Sequence, residues 1–384
     1  MNSVLTPMQR QYHSLKAQHQ DSILLFRLGD FYEMFYQDAE IASQILGITL
    51  TARQKGGPNE MPMCGIPYHS ADNYIQKLID HGHKVAICEQ ISDPKIPGLV
   101  ERAVVQIISP GTQIQNPDDY NPNYLVAVVK QNQQYGLAFS DLSTGKFQAT
   151  QINNTSDLQD ELARLNPREL LLPQGEQLET PVFLSPYRSY WPLPTEAAQI
   201  LQDFFQIPNL KIFYLENEEL AVKAAAMLLQ YLLDTQKGQK IAITKLEKYD
   251  LSHYLPIDAT SLVNLEILQN AQNNSKKGSL LSIFQNTQTS AGSRLMREYL
   301  VHPCRQINEI QNRLDQVEKL VKNPAERQEL RSLLTQTRDL EKILSKIANG
   351  KANPKDLIAI QESLAIIPKI QKILDSITLS LGKN

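Results

Sequence analysis

Cysteine is scarce in this sequence. Its three cysteines, Cys64, Cys88 and Cys304, are far apart, and no C-x-x-C pair occurs. The spacing of a zinc site or a disulfide framework is therefore missing. Free thiols are typical of a reducing compartment, so we expect a cytoplasmic protein.

Long apolar runs are also missing. The first seven residues contain no basic patch followed by an apolar stretch, so we expect no secretory signal. The most apolar stretch, residues 220–233, is interrupted by Lys223 and Gln230. It is too short to span a bilayer and predicts a buried helix.

Nucleotide-binding and hydrolytic motifs do not occur in the sequence. A Walker A loop needs G-x-x-x-x-G-K-[ST], whose amides and lysine bind phosphates. Neither Gly350-Lys351 nor Gly382-Lys383 is followed by serine or threonine. The patterns G-x-S-x-G, H-E-x-x-H and G-x-G-x-x-G do not occur either. Enzymes built on these motifs are excluded for the sequence as given.

Positive charge is low for a nucleic-acid binder. The formal net charge is −3, and residues 1–112 contain nine basic and eleven acidic side chains, a net of −2. Nucleic-acid-binding domains are usually basic. Any role on DNA must therefore rest on specific residues rather than on the overall field.

The length of 384 residues predicts two or three domains. Residues 1–112 alternate short apolar runs with helical spacing, which indicates an α/β domain. Its first strand covers residues 23–26. Asp30, with Glu33 three residues later, resembles a helix capping box. We therefore predict a helix from Asp30 to Leu46, closed by Gly47.

Residues 113–123 are rich in Asn, Asp and Pro and are interpreted as a linker. Residues 124–254 predict a second α/β unit, with three strands in series, then a helix and another strand. From residue 255 to 384 Leu and Ile recur at helical spacing. Pro303, Pro324 and Pro354 are expected to mark breaks between those helices.

Several polar and aromatic residues are candidates for function. Spacing alone favours core packing for Phe31, and its outward projection together with Glu33 remains open. His81 and His83 lie near Cys88, but no further pair of metal ligands follows, so we interpret them as part of a solvated turn.

One long segment resembles a known family. The sequence R-L-G-D-F-Y-E-M-F at residues 27–35 is similar to the G-D-F-Y-E-x-F signature of the MutS family of DNA mismatch-repair proteins. Shorter matching segments follow in the same order along the whole chain: T-L-T-A-R (49–53), P-M-C-G-I-P-Y-H (62–69), V-A-I-C-E-Q (85–90), V-E-R (100–102), P-G-T (110–112), N-L-E-I (264–267), S-A-G-S-R (290–294) and D-L-E-K-I (339–343).

The resemblance implies a multidomain α/β plus α architecture. Residues 1–112 would be a mixed α/β mismatch-binding domain, 124–254 an RNase H-like α/β connector, and 255–384 the first part of a helical core. Longer members continue into an ATPase that uses ATP and Mg²⁺ and forms a homodimer. We expect the chain as given to be a fragment that lacks these features.

The resemblance also implies a site. Phe31 would insert into the minor groove of mismatched double-stranded DNA, Glu33 would hydrogen-bond the mispaired base, and Arg53 would lie near the DNA backbone. Ala52 replaces the basic residue that usually precedes Arg53, which removes one phosphate contact.

Two other functions compete with mismatch recognition. One is recruitment of the partner protein MutL through the connector, with negligible DNA binding. The other is nuclease activity on the RNase H-like fold. That activity needs clustered carboxylates for Mg²⁺, and Asp141 is a lone candidate.

Titration calorimetry with ATP and Mg²⁺ is expected to give no saturable heat with this chain, because the phosphate-binding loop is missing from the sequence. A saturable isotherm would contradict this expectation and reveal a nucleotide site of another kind.

Overall fold

The apolar run predicted as the first strand lies in the middle of a six-stranded sheet. The strands are β1 (Ser22–Leu28), β2 (Phe31–Phe35), β3 (Thr51–Arg53), β4 (Met61–Pro67), β5 (Lys84–Gln90) and β6 (Arg102–Ile108). Their order is β3-β4-β2-β1-β5-β6, and only the β1–β5 pair is parallel among these neighbours. The first five residues of β1 are all buried because helices cover both faces of the sheet.

Three helices flank this first sheet. They are α1 (Pro7–Gln18), α2 (Tyr36–Leu46) and α3 (Ala71–Asp80). Helices α2 and α3 pack on one face, where Ala39, Ala42 and Ile75 join the core. Helix α1 covers part of the opposite face through Tyr12. Gly47 ends α2 in the left-handed conformation at φ 67°, which confirms the predicted helix end.

The predicted start of that helix is wrong. Gly29 and Asp30 form a two-residue turn that pairs Leu28 with Phe31, and residues 31–35 continue as β2. Glu33 lies in the middle of this strand, and α2 begins only at Tyr36. Pairing with β1 on one side and β4 on the other outweighs the local capping pattern.

The computed structural model describes residues 5–53, 60–92, 100–113, 121–178, 180, 182–187, 194–350 and 352–380. Most of the predicted linker at 113–123 lies outside these residues, so that boundary remains a prediction. Within the described ranges, no helix is both long and apolar enough to cross a membrane.

A second six-stranded sheet follows. Its strands are β7 (Leu125–Gln131), β8 (Gln134–Asp141), β9 (Lys146–Ile152), β10 (Glu169–Pro173), β11 (Phe183–Tyr187) and β12 (Glu247–Lys248), in the order β11-β10-β7-β8-β9-β12. Its helices are α4 (Thr155–Leu165), α5 (Pro194–Phe205) and α6 (Glu219–Gln236). The predicted series of three strands, a helix and a strand is confirmed by β7 to β10, and the structure shows that the first three strands are antiparallel.

Helix α6 is the buried helix expected at residues 220–233, and it packs directly on β8. At Gly136 the approach is so close that a Cβ atom would lie 1.8 Å from the carbonyl oxygen of Leu220. Only glycine leaves room for the helix backbone at this point.

The remaining part of the described chain is helical, as predicted. Its helices are α7 (Ala259–Asn264), α8 (Leu280–Ile283), α9 (Ser290–Val301), α10 (Ile307–Lys322), α11 (Pro324–Leu334), α12 (Leu340–Ala348) and α13 (Pro354–Ser380). Pro303 follows the end of α9, while Pro324 and Pro354 are the first residues of their helices. This confirms the predicted breaks, since proline is favoured in the first helical turn.

A buried carboxylate joins the two sheets. Glu169 on β10 is fully buried, and its Oε2 accepts hydrogen bonds from the hydroxyl of Ser109 and from the backbone amide of Gly111, the latter at 2.9 Å. Both residues follow β6 of the first sheet. Its Oε1 accepts from Ser185 at 2.5 Å and from Tyr231 at 2.7 Å. One side chain therefore ties the end of the first sheet to three elements of the second.

Gly136→Ala is expected to lower the free energy of unfolding by about 1–3 kcal/mol, because the added methyl group must displace the α6 backbone. Gly65→Ala is the control, since its Cβ would meet no atom closer than 3.4 Å. Guanidinium titration of both variants measures the difference. Equal midpoints for Gly136→Ala and the unmodified chain would contradict the close packing.

Candidate nucleic-acid interface

The side chains of strand β2 alternate between the two faces of the sheet. Phe31 and Glu33 lie on one face, and Tyr32 and Met34 lie on the other. Phe31 is 47% exposed, whereas Tyr32 is 7% exposed. The core interpretation of Phe31 is therefore wrong, and the outward projection left open by the sequence is what the structure has.

Phe31 is exposed to solvent because α1 covers only part of this face of the sheet. Phe35, at the other end of the same strand face, is buried against Tyr12 of α1, with ring centroids 5.1 Å apart. Phe31 lies beyond that helix, between its cross-strand partners Leu28 and Pro67. A large apolar ring is thus presented on a strand that is hydrogen-bonded on both sides.

The opposite face of the turn is fixed by a polar and aromatic cluster. The Tyr32 hydroxyl donates to Glu89, and burial together with this carboxylate raises the pKa of Tyr32. Arg27 is 3.5 Å from the same carboxylate and stacks 3.5 Å above the Tyr68 ring. The backbone amide of Tyr68 also donates to the carbonyl of Asp30. These contacts hold the base of the hairpin that carries Phe31.

This cluster was not predicted from the sequence. Its residues are part of the segments that resemble the family, but no local pattern distinguishes them. The parallel register of β1 with β5 runs to Phe26 and Cys88 and so brings residue 27 close to residue 89, and this long-range pairing is not visible in the sequence.

The structure brings two of the predicted site residues together. Arg53, at the end of β3, places its Nη1 3.5 Å from Oε2 of Glu33. The Glu33 side chain is 18% exposed and the Arg53 side chain is 46% exposed. The Glu33 side chain lies next to Gly65 of β4, since a Cβ atom added to this glycine would be 3.6 Å from the Cγ of Glu33. Phe31, Glu33 and Arg53 therefore share one side of the sheet.

The negative charge of Glu33 is only partly compensated by its surroundings. Its Oε2 is buried and has no hydrogen-bond partner among the residues that the structure describes, since the contact with Arg53 is an ion pair without hydrogen-bond geometry. Burial raises the pKa of Glu33, and the charge of Arg53 lowers it by less. The neutral form, which can donate a hydrogen bond, is thus more accessible to Glu33 than to a free glutamate.

Arg102 is a cation of this sheet that is held in the interior. It lies 5.0 Å from the Phe26 ring and donates to the Arg27 carbonyl at 2.7 Å and to Gln11 at 3.1 Å. It is buried, in contrast to the half-exposed Arg53. Of these two cations, Arg53 is the one that a DNA backbone can reach.

The other candidate residues are used within the fold. Asp141 is buried and accepts hydrogen bonds from Ser143, and burial raises its pKa. His81 contacts the carbonyl of Lys77, and burial raises the pKa of the Cys88 thiol to about 12. Across the described ranges, no group of three potential metal ligands occurs.

Comparison with protein-family models assigns all three parts of the chain. Residues 6–117 match MutS domain I, residues 123–247 match MutS domain II, and residues 260–384 match MutS domain III. Together the three matches take in most of the sequence, and the chain belongs to the MutS family.

Curated relatives agree with this assignment. A DNA mismatch repair protein MutS from Caldanaerobacter subterraneus subsp. tengcongensis is 41% identical over 392 residues, which covers 99% of this chain and 45% of the relative. The MutS of Halothermothrix orenii is also 41% identical, with 100% and 44% covered. That of Myxococcus xanthus is 40% identical, with 96% and 43% covered. The chain spans less than half the length of these relatives.

Glu33→Gln is expected to raise the melting temperature at pH 7. A folded-state pKa above the unfolded value means that the neutral carboxyl group favours folding, fully so below the ordinary carboxyl pKa of about 4.3. That contribution is lost as pH rises through the folded pKa, and the neutral amide avoids the loss. The gap in melting temperature should therefore close toward pH 4.

Glu40→Gln on the exposed side of α2 is the control, with an expected change within about 0.5 kcal/mol. A Glu33→Gln variant that melts below the unmodified chain at pH 7 would show that the ion pair with Arg53 outweighs burial.

Proposed function

We propose that this chain recognises mismatched double-stranded DNA in mismatch repair, by inserting Phe31 into the minor groove while Glu33 hydrogen-bonds the mispaired base. The observation that supports this most directly is the exposed Phe31 ring on a rigid strand, two residues from a half-buried carboxyl group on the same face. The names of the curated relatives point to the same process.

An apolar ring can sense a mismatch without reading sequence. A wedge that enters from the minor groove partly unstacks one base step and kinks the duplex. Unstacking costs a few kcal/mol, and it costs least where the base pair is already weak. The stiffness of β2 matters for this role, because a mobile loop would bend before it separated the bases.

Glu33 adds discrimination of a different kind. An ionised carboxylate near phosphates is repelled, which disfavours a matched duplex that offers it no hydrogen bond. Beside a displaced base, the neutral carboxyl group can donate a hydrogen bond. The raised pKa of Glu33 supports this second state.

Arg53 is proposed to contact the phosphate backbone next to the wedge. Its side chain is 46% exposed, and its Nη1 lies 3.5 Å from Oε2 of Glu33, which is two residues from Phe31. Guanidinium groups bind phosphate through paired, charge-assisted hydrogen bonds. The modest charge of the first sheet predicts weak overall affinity with a shallow dependence on salt, because few cations are available to release counterions.

The second sheet is proposed to be the RNase H-like connector. Its five longer strands run in the order β9-β8-β7-β10-β11. The strands β9, β8 and β7 are antiparallel to their neighbours, whereas β10 is parallel to β7 and β11 is parallel to β10. Recruitment of MutL through this connector, without useful DNA binding, is the alternative function. ATP, Mg²⁺ and homodimer formation are expectations for the longer family members.

Phe31→Ala is expected to reduce binding of a G·T duplex toward the level of matched DNA, because the wedge is lost. The thermal melt should change little, since the ring is half exposed. Glu33→Ala should instead raise matched-duplex binding while G·T binding changes less, so the ratio shrinks. Fluorescence titration against both duplexes at low salt measures these effects.

Phe284→Ala is the matched control, because this phenylalanine in the helical region is 43% exposed and should not affect DNA binding. A folded Phe31→Ala variant that keeps the G·T preference would contradict the wedge mechanism. Equal binding of both duplexes by the unmodified chain, combined with MutL capture, would favour the connector alternative.

A further inference from the structure

We propose that Arg53 is a specificity residue that controls Glu33: it holds the carboxylate in an ion pair in the free protein, and a DNA phosphate that captures the guanidinium releases Glu33 to act as a neutral hydrogen-bond donor. The inference rests on the proposed function and concerns how its site responds to DNA.

The two side chains reach each other from different strands. Glu33 is central in β2, whereas Arg53 ends the edge strand β3, with β4 lying between them. Glu33 is paired with Gly65 of β4, which adds no side chain beside it, whereas Arg53 is paired with Met61. The Arg53 side chain therefore reaches diagonally across β4, and its Nη1 lies 3.5 Å from Glu33 Oε2. The pair therefore spans three strands without a packed side chain at that glycine.

The two partners differ in their access to solvent. The carboxyl group is largely enclosed, and within the described ranges its Oε2 accepts no hydrogen bond. The guanidinium is nearly half exposed at a sheet edge. Arg53 can consequently leave Glu33 for an external anion, whereas Glu33 cannot follow it into solvent without moving β2.

Three further cations in the described part of this domain, Arg102, Lys16 and Lys84, have partners within the fold. Arg102 is bonded to the Arg27 carbonyl and to Gln11, as described above. Two lysines on elements that pack against the same face are paired with carboxylates: Lys16 with Asp38 at 2.8 Å and Lys84 with Asp21 at 3.1 Å. Arg53 is the cation whose charge acts against the burial of Glu33.

A phosphate is a better partner for Arg53 than the enclosed carboxylate. It offers two oxygens in the geometry of the guanidinium fork, whereas the contact with Glu33 lacks hydrogen-bond geometry. Once the guanidinium binds the DNA phosphate, its positive charge no longer lowers the pKa of Glu33. Burial then raises this pKa without opposition, and the protonated form is favoured. Binding of DNA should thus be coupled to proton uptake at this residue.

The first test uses the free protein. The ¹³C carboxyl signal of Glu33, assigned by its loss in Glu33→Gln, is titrated with pH by NMR. Arg53→Gln should move the Glu33 midpoint to higher pH, Arg53→Lys should restore most of it, and Arg10→Gln on the exposed side of α1 should leave it unchanged. An unchanged midpoint in Arg53→Gln overturns the control of Glu33 by Arg53.

The second test measures protons taken up on binding. Calorimetry of a G·T duplex in buffers of different ionisation enthalpy, repeated across pH, gives the uptake profile. Proton uptake is expected between the pKa of Glu33 in the free protein and its pKa in the complex. In Arg53→Gln the lower limit of this pH range should move to higher pH, because more of Glu33 is already protonated before DNA binds. Glu33→Gln should abolish the window, and Arg10→Gln should retain it.

The outcomes separate the two levels of the argument. If the unmodified chain binds G·T and matched duplexes equally, the proposed function fails. If it prefers G·T but Arg53→Gln has the same uptake profile, the role of Arg53 fails while mismatch recognition stands. A uniform loss of affinity for both duplexes with no change in profile reduces Arg53 to a simple phosphate contact and overturns the inference.

Discussion

The arrangement of the two sheets depends on the buried carboxyl group of Glu169. Each of its oxygens accepts two hydrogen bonds, and the donors come from the end of the first sheet and from β11 and α6 of the second. A polar group buried this deeply is tolerated only when its bonding capacity is met. Loss of any one donor leaves an unsatisfied site that costs about 1–3 kcal/mol. The first sheet is therefore joined to the second by specific polar contacts, of which Glu169 makes four and the Gln106–Gln236 hydrogen bond is another.

That joint lies at one end of the first sheet, and the exposed Phe31 lies on a separate part of it. Alternation along β2 places the apolar ring and the carboxyl group on the same side, and α1 covers only the portion near Phe35. The Arg27 cluster then holds the hairpin from behind. The proposed site is thus a small uncovered part of this sheet, and its two charged side chains, Glu33 and Arg53, are adjacent to one another.

Much of this fold could be predicted from the sequence because the signals were local. The apolar run of β1, the glycine that ends α2, the buried helix α6 and the prolines at the starts of helices are each decided by neighbours in sequence. The helix expected from Asp30 failed because β1 and β4 both pair with residues 31–35, and β4 begins more than 25 residues downstream of the turn. The contact between Glu33 and Arg53 was inaccessible for the same reason. Phe31 and Glu33 were named as a pair through family resemblance, and strand alternation gives the physical basis for their shared face.

The Gly29-Asp30 turn has a consequence for how this protein can change over evolutionary time. Gly29 has φ 59°, and the turn contains no spare residue between Leu28 and Phe31. Insertion of a single residue ahead of Phe31, with β2 slipping by one position, would exchange the two faces of the strand. Tyr32 and Met34 would then face solvent, while Phe31 and Glu33 would be forced into the α2 and α3 core. Point substitutions can alter the probe gradually, whereas a length change in this turn would remove it in one step.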